Sequence, residues 1–186
     1  RDKLLETTQK VINHLQTQEN REKVNIDRSV LDKAASILER IYDDEYGGFG
    51  SSPKFPMPHY LLFLLFYSTD NDKKYLNMVE KTLKNMRAGG IYDQLGQGFH
   101  RYSTDQKWEV PHFEKMLYDQ ALLIYTYLEA YRTTNENIYK DVVKEIIEYL
   151  KRDMTSQQGG FYAAEDADSE GEEGKYYYWS LQEIKD

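Results

Sequence analysis

The sequence predicts an all-α fold, a toroid of paired helices, and three regularities carry that prediction. Helical segments alternate between amphipathic and almost wholly apolar, the connections between them alternate between short and long, and each long connection opens with paired glycines followed by a bulky residue. Antiparallel helices joined in this way set every short turn on one side and every long loop on the other. Amphipathic helices then lie outside and apolar ones inside, with the long loops gathered at the N-terminal ends of the inner helices.

In order, residues 1–25 read as a linker helix followed by a charged stretch, Glu19-Asn20-Arg21-Glu22-Lys23. Residues 26–42 place Ile26, Val30, Leu31, Ala34, Leu38 and Ile41 at helical spacing, with Asp32, Lys33, Glu39 and Arg40 filling the other side. Segments 72–87 and 136–153 repeat the pattern through Leu76, Val79, Leu83 and Met86, then Tyr139, Val142, Val143, Ile146, Ile147 and Leu150. Segments 58–68 and 112–132 are apolar nearly all round, as in Leu61-Leu62-Phe63-Leu64-Leu65-Phe66, and such helices need cover on several sides. The long connections run from Asp43 to Met57, Ala88 to Pro111 and Thr155 to Trp179, opening on Gly47-Gly48-Phe49, Gly89-Gly90-Ile91-Tyr92 and Gly159-Gly160-Phe161-Tyr162. Loops this long are uncommon unless they act or fold locally. The third is expected to hold a hairpin, with Phe161-Tyr162-Ala163 facing Tyr176-Tyr177-Tyr178-Trp179. Residues 26–186 thus supply two and a half hairpin units.

Composition narrows the function. A formal charge of −8 and a pI near 5.1 leave no basic stripe for nucleic acid. With no cysteine there is no thiol nucleophile, disulfide or zinc-thiolate site in this stretch. The run from Tyr60 to Tyr67 is well short of the ~20 residues that span a bilayer, so no membrane role is expected and a cytoplasmic setting is. There is no initial Met, and Ser180-Leu181-Gln182-Glu183 is a capping box that starts a helix near the last residue, which implies a piece of a longer polypeptide.

The second long loop carries the densest chemistry. Asp93, His100, His112, Glu114 and, just beyond it, Asp119 are candidate proton handlers, with Arg101, Tyr102, Trp108 and Lys115 as substrate contacts. Pro111 suits the first position of a helix, which would put His112, Lys115 and Asp119 on one side of the inner helix and its positive dipole end toward the loops. Each residue also has a structural reading. Asp93 can cap a turn, Glu114 can complement the dipole, the histidines can be satisfied core groups, and Arg101 can pair with a loop acid. The third loop adds Glu165 and Asp166 as carboxylate candidates. Asp166, Asp168, Glu170 and Gly171 match the opening of a calcium loop, but Tyr177 stands where a bidentate Glu is needed, so no metal and no other cofactor is predicted. The 17 tyrosines offer stacking faces with polar tips for a sugar ring.

Pro53-Lys54-Phe55-Pro56 after Gly48-Phe49-Gly50, the Gly89 to Tyr102 run, Val110-Pro111-His112-Phe113-Glu114-Lys115-Met116-Leu117-Tyr118-Asp119, and Glu165-Asp166-Ala167-Asp168-Ser169-Glu170-Gly171 together resemble the thioredoxin-domain-containing, spermatogenesis-associated protein 20 family. The resemblance implies a longer chain with an N-terminal thioredoxin-like domain, followed by an (α/α)6 toroid similar to N-acylglucosamine 2-epimerases and glycoside hydrolases. It implies as partners the remainder of the same polypeptide and a sugar or sugar-like ligand. The expected activity is acid-base chemistry on a sugar, epimerase- or glycosidase-like, in the intact protein; the alternative is a non-catalytic interaction scaffold. The isolated piece is expected to be inactive and to self-associate through uncovered inner-helix surface.

Overall fold

The computed structural model describes residues 2–18, 27–68 and 73–185. The chain divides into two compact units, residues 1–34 and 35–186. In the first lies α1 (Asp2–Gln18), with Leu5, Val11 and Ile12 exposed. α2 (Arg28–Ile41) begins after Asp27, whose Oδ1 accepts the Ser29 N–H at 2.8 Å, and the division between the units falls within it. The charged stretch 19–23, Ile26, the expected boundary at residue 25 and the short turn after Ser68 lie outside the described residues.

The second unit is built on two helical hairpins. Inner helix α3 (Pro58–Ser68) packs on outer helix α4 (Lys73–Ala88); inner helix α5 (Leu117–Thr134) packs on outer helix α6 (Asn137–Arg152) and on α3. Most of the anticipated stripes are buried: Val79, Leu83 and Met86 on α4, and Tyr139, Val142 and Ile146 on α6. Each such side chain contributes about 1.5–3 kcal/mol. α2 departs from its expected stripe, because Ala35 and Leu38 are its buried residues while Val30, Leu31 and Ile41 are exposed. The inner helices are apolar all round because two of their neighbours are helices, yet α5 leaves Tyr118, Leu122, Tyr125 and Leu128 open on one face. Tyr42 O–H and Tyr127 O–H are satisfied within the core by donating to the Met78 and Leu83 carbonyls at 3.1 and 2.8 Å.

All three long loops meet. Trp108 Nε1–H reaches from the second loop to the Tyr46 carbonyl in the first at 3.1 Å, and Lys54 and Ser103 exchange backbone hydrogen bonds at 2.8 Å each. Within the second loop β1 (Tyr102–Ser103) pairs antiparallel with β2 (Pro111–His112). β3 (Lys115–Met116) then pairs with β4 (Ala164–Glu165) of the third loop.

Two sequence expectations are corrected here. The inner helix starts at Leu117 instead of Pro111, so His112, Lys115 and Asp119 do not share a helix face. The cause is competition for backbone groups. Asp105 Oδ2 accepts the Val110 N–H at 2.6 Å and turns the chain, after which residues 111–112 and 115–116 are drawn into two different ladders. Nor do the aromatic runs of the third loop pair with each other. The hairpin lies between them, as β5 (Asp168–Ser169) with β6 (Glu172–Glu173), its turn made by Glu170 and Gly171 at φ 54° and 80°. The last element, α7 (Leu181–Lys185), carries the anticipated capping box: Ser180 N–H donates to Glu183 Oε2 at 2.7 Å and Glu183 N–H to Ser180 Oγ at 3.3 Å.

Candidate functional site: a locked loop cluster with two faces

The first two loops share one device. Tyr42 and Phe49 bridge, as do Tyr92 and Phe99, and each bridge closes a turn around an aspartate. Asp43 N–H donates to Gly48 O at 2.9 Å, and Asp93 N–H to Gly98 O at 3.0 Å. Oδ1 of each aspartate accepts two backbone N–H groups of its own turn: Glu45 and Tyr46 at 2.9 and 3.0 Å, then Leu95 and Gly96 at 3.0 and 2.7 Å. Oδ2 of each takes a buried lysine, Lys54 at 2.5 Å and Lys115 at 2.8 Å. Gly48 and Gly98 sit at φ 81° and 79°, and a Cβ on either would strike a ring, Trp108 at 2.5 Å or Tyr149 at 2.7 Å. The equivalent of Gly47-Gly48-Phe49 is therefore Gln97-Gly98-Phe99, not Gly89-Gly90. Gly89-Gly90 instead admits the backbone of Trp108 and Glu109, whose carbonyls a Cβ would meet at 2.4 and 2.0 Å. In the third loop Thr155 and Phe161 form the bridge and Ser156 holds the aspartate's place, its Oγ accepting the Gly160 N–H.

Burial pushes the Asp43 carboxyl up, but hydrogen bonds from Lys54, Tyr46 N–H and Gln106 outweigh it and bring the pKa to about 2. Asp93 also falls below its ordinary range, burial being outweighed by the charge and hydrogen bond of Lys115 and by two backbone donors. Lys115 is pulled down by burial and held up by Asp93. With Gln97 O at 2.9 Å and the rings of Tyr149 and Tyr177 at 4.5 and 5.0 Å, its ammonium is fully partnered, and the pair is an ionic one.

The predicted residues fall into two groups. Around Asp93 lie clefts of 330, 430 and 540 Å3. Lys115 and Glu165 border the smallest, where Glu165 Oε2 accepts the Tyr149 O–H at 2.7 Å. His100 borders the largest and is buried. Its Nδ1 lies 3.1 Å from the Phe113 carbonyl, which can only accept, so Nδ1 carries the proton. Burial first, and Lys115 second, lower its pKa to about 4, so the ring is neutral.

None of these clefts is lined by Arg101, Tyr102, His112, Glu114 or Asp119. Tyr102 and His112 are partners in the β1–β2 ladder, Arg101 and Glu114 flank its strands, and Asp119 lies in the first turn of α5. Tyr102 stacks on His112 with centroids 4.9 Å apart and 18° between planes, and Phe55 from the first loop lies on Tyr102 at 4.8 Å. Arg101 Nη1–H donates to Glu114 Oε2 at 2.8 Å, and His112 Nδ1 lies 2.6 Å from Glu173 Oε1. Asp119 is buried with its Oδ2 unpartnered among the described residues. Burial raises its pKa to about 6, with Arg101 opposing and Glu114 adding to the rise.

Two predicted residues stand apart from both groups. Trp108 is wholly buried beneath the first turn, so its expected substrate contact gives way to packing over Lys54, whose Nζ lies 5.0 Å from the ring. Asp166 is an exposed turn cap that accepts the Asp168 N–H at 3.1 Å. Sequence reasoning passed over Tyr149, Tyr177 and Glu173. The recurrence of Tyr-Asp before Gly-Phe at Tyr42-Asp43/Gly48-Phe49 and Tyr92-Asp93/Gly98-Phe99 was a legible signal for the locks; nothing local marks Glu173, which reaches His112 only through the fold.

Inner helices side by side, each backed by an outer helix and headed by joined loops, define the class: part of an (α/α)6 toroid of helical hairpins. Among solved structures the chain is similar to cellobiose 2-epimerase from Bacillus thermoamylovorans B4167, with TM-score 0.62 and 15% identity over 75% of this chain and 42% of that one. It is likewise similar to a D-mannose isomerase, with TM-score 0.61 and 16% identity over the same shares. An unsaturated glucuronyl hydrolase specific for heparin gives TM-score 0.59 and 12% identity over 74% and 43%. The chain belongs to the spermatogenesis-associated protein 20 family: it is 44% identical to the Homo sapiens protein of that name and 43% to the Mus musculus one, over 98% of its own length. It spans about a quarter of the length of these curated relatives. No family model matches the chain. Among the described residues no helix is long and apolar enough to cross a membrane.

Proposed function

We propose that the intact protein binds a sugar-like polyol at the mouth of its toroid and performs acid-base chemistry on it, and that this segment contributes the ladder face to that site. The observation that carries the reading is the array on β1–β2: an imidazole stacked on a tyrosine, tethered at Nδ1 by a carboxylate, and beside an arginine–glutamate pair. Phe55, which is exposed, offers an apolar face for a ring, and Arg101 offers donors for its hydroxyls. His112 is the proton carrier. Glu114 and Asp119 are the acids beside it, and the rest of the polypeptide supplies the opposing wall. Residence in the cytoplasm and an N-terminal thioredoxin-like domain belong to the same proposal. The likeness to a cellobiose epimerase, a mannose isomerase and a glucuronyl hydrolase supports a carbohydrate ligand through the fold alone.

A scaffold reading draws on a different fact. Asp93, Lys115 and Glu165, once candidates for chemistry, have their needs met within the protein, so the Asp93 face serves stability. The two readings separate in the full-length protein. Melting temperature is measured with D-mannose, cellobiose and N-acetylglucosamine, and deuterium uptake by each sugar is followed in heavy water. The acid-base reading expects stabilisation by at least one sugar and exchange that disappears in His112→Gln. If no sugar shifts the melting temperature or exchanges, the scaffold reading stands.

A further inference from the structure

A carboxylate from the third loop lies within hydrogen-bond distance of His112. Glu173 ends β6, on the far strand of the third-loop hairpin, and its Oε1 lies 2.6 Å from His112 Nδ1. A carboxylate oxygen at that distance accepts, so it fixes the imidazole proton on Nδ1 and leaves Nε2 with the free electron pair. Glu114 Oε2 lies 3.7 Å from Nε2, beyond a hydrogen bond, because Arg101 holds that oxygen at 2.8 Å. Tyr102 covers one face of the ring. Glu173 and Tyr102 therefore hold the ring at its edge and over one face, with Glu114 beyond hydrogen-bond reach of Nε2.

The hairpin that brings Glu173 is itself anchored. Gly174 follows Glu173 directly and lies against Phe113, where a Cβ would come within 2.4 Å of the ring, and Phe113 stacks on Tyr177 at 5.4 Å and 11°. Phe113 in turn follows His112, so the same contact that seats the hairpin sets the distance between Glu173 and the imidazole.

We infer that Glu173 is a positioning residue which, through Nδ1 of His112, makes Nε2 the nitrogen that exchanges protons with the substrate. This rests on the acid-base reading above. Nε2 takes the proton of a substrate O–H or acidic C–H, the bonding electron pair stays on the oxygen or carbon, and the imidazolium charge is balanced by Glu173 until the proton is returned. A surface tie that only fastens the hairpin would set the same tautomer, but its loss would leave kcat unchanged.

The test uses full-length protein labelled with 15N-histidine, the His112 signals being identified by their loss in His112→Gln. Wild-type protein at pH 8 is expected to show Nδ1 protonated and Nε2 unprotonated. Glu173→Ala is expected to give a mixture of tautomers, and Glu173→Gln, which keeps an acceptor oxygen, to restore the wild-type pattern. Against an exchanging sugar, Glu173→Ala should lower kcat by about ten- to a hundredfold with KM unchanged, less than the loss known for a fully buried orienting carboxylate because Glu173 is half exposed. An unchanged tautomer in Glu173→Ala overturns the inference whether or not any sugar is turned over. A scrambled tautomer in a protein that exchanges no sugar upholds the positioning by Glu173 and removes the sugar reading instead.

Discussion

The first and second loops use the same lock in different surroundings. Lys54 and Asp43 are sealed: the lysine is 0% exposed, it also donates to Gln106 O at 2.9 Å, Gln106 donates back to Asp43 at 2.8 Å, and Trp108 closes the lid. Lys115 and Asp93 repeat the arrangement at the edge of open clefts, beneath two tyrosines instead of a tryptophan. The same motif is enclosed in the first loop and borders clefts in the second. A charged residue beside a cleft is weak grounds for chemistry when its sealed twin has the same partners.

The largest effect is expected at the sealed lock. Lys54→Ala leaves the nearly buried Asp43 carboxylate without its counter-charge and should cost about 3–5 kcal/mol in chemical denaturation. Lys115→Ala should cost less, about 2–3 kcal/mol, because water in the adjoining clefts can reach Asp93. Equal losses would erase the distinction between the two environments.

Titration sharpens it further. Asp43, at about 2 against its ordinary 3.8, contributes stability that is present above pH 3.8 and is lost as pH falls through 2. His100, at about 4 against 6.5, stabilises above pH 6.5, and that contribution is lost as pH falls toward 4. Asp119 has the opposite sign. At about 6 against 3.8, it binds its proton more tightly when folded, so its contribution is complete below pH 3.8 and disappears as pH rises through 6. Asp119→Asn should therefore stabilise the protein at pH 8 by about 2 kcal/mol and have little effect at pH 3.5, as followed by denaturation at both values. The smallest effect is expected at Gly50, at φ 76° with nothing within 4 Å of a Cβ: Gly50→Ala should cost about 1 kcal/mol from backbone strain alone. Gly48→Ala, at nearly the same φ but against Trp108, should cost more.

Much of the fold was legible because helix periodicity and loop length are local properties. The stripes on α4 and α6, the inner position of α3 and α5, the meeting of the loops and the final capping box all follow from residues close in sequence. What failed was decided by distant partners. Pro111 carries a local signal for a helix start, but the strands formed with Tyr102 and Glu165 delay the helix to Leu117. Trp108 and Lys115 look like ligand-facing residues until the first turn and Asp93 are folded over them. Glu173 is indistinguishable from Glu170 and Glu172 in sequence, and only the hairpin's register and the Gly174–Phe113 contact single it out.

Double-mutant cycles on the two pairs, Asp43→Ala with Lys54→Ala and Asp93→Ala with Lys115→Ala, test most directly whether the cleft beside the second lock weakens it. The account predicts that the coupling energy between Asp43 and Lys54 exceeds that between Asp93 and Lys115 by about 1 kcal/mol or more. A coupling as large or larger at Asp93 and Lys115 would contradict it.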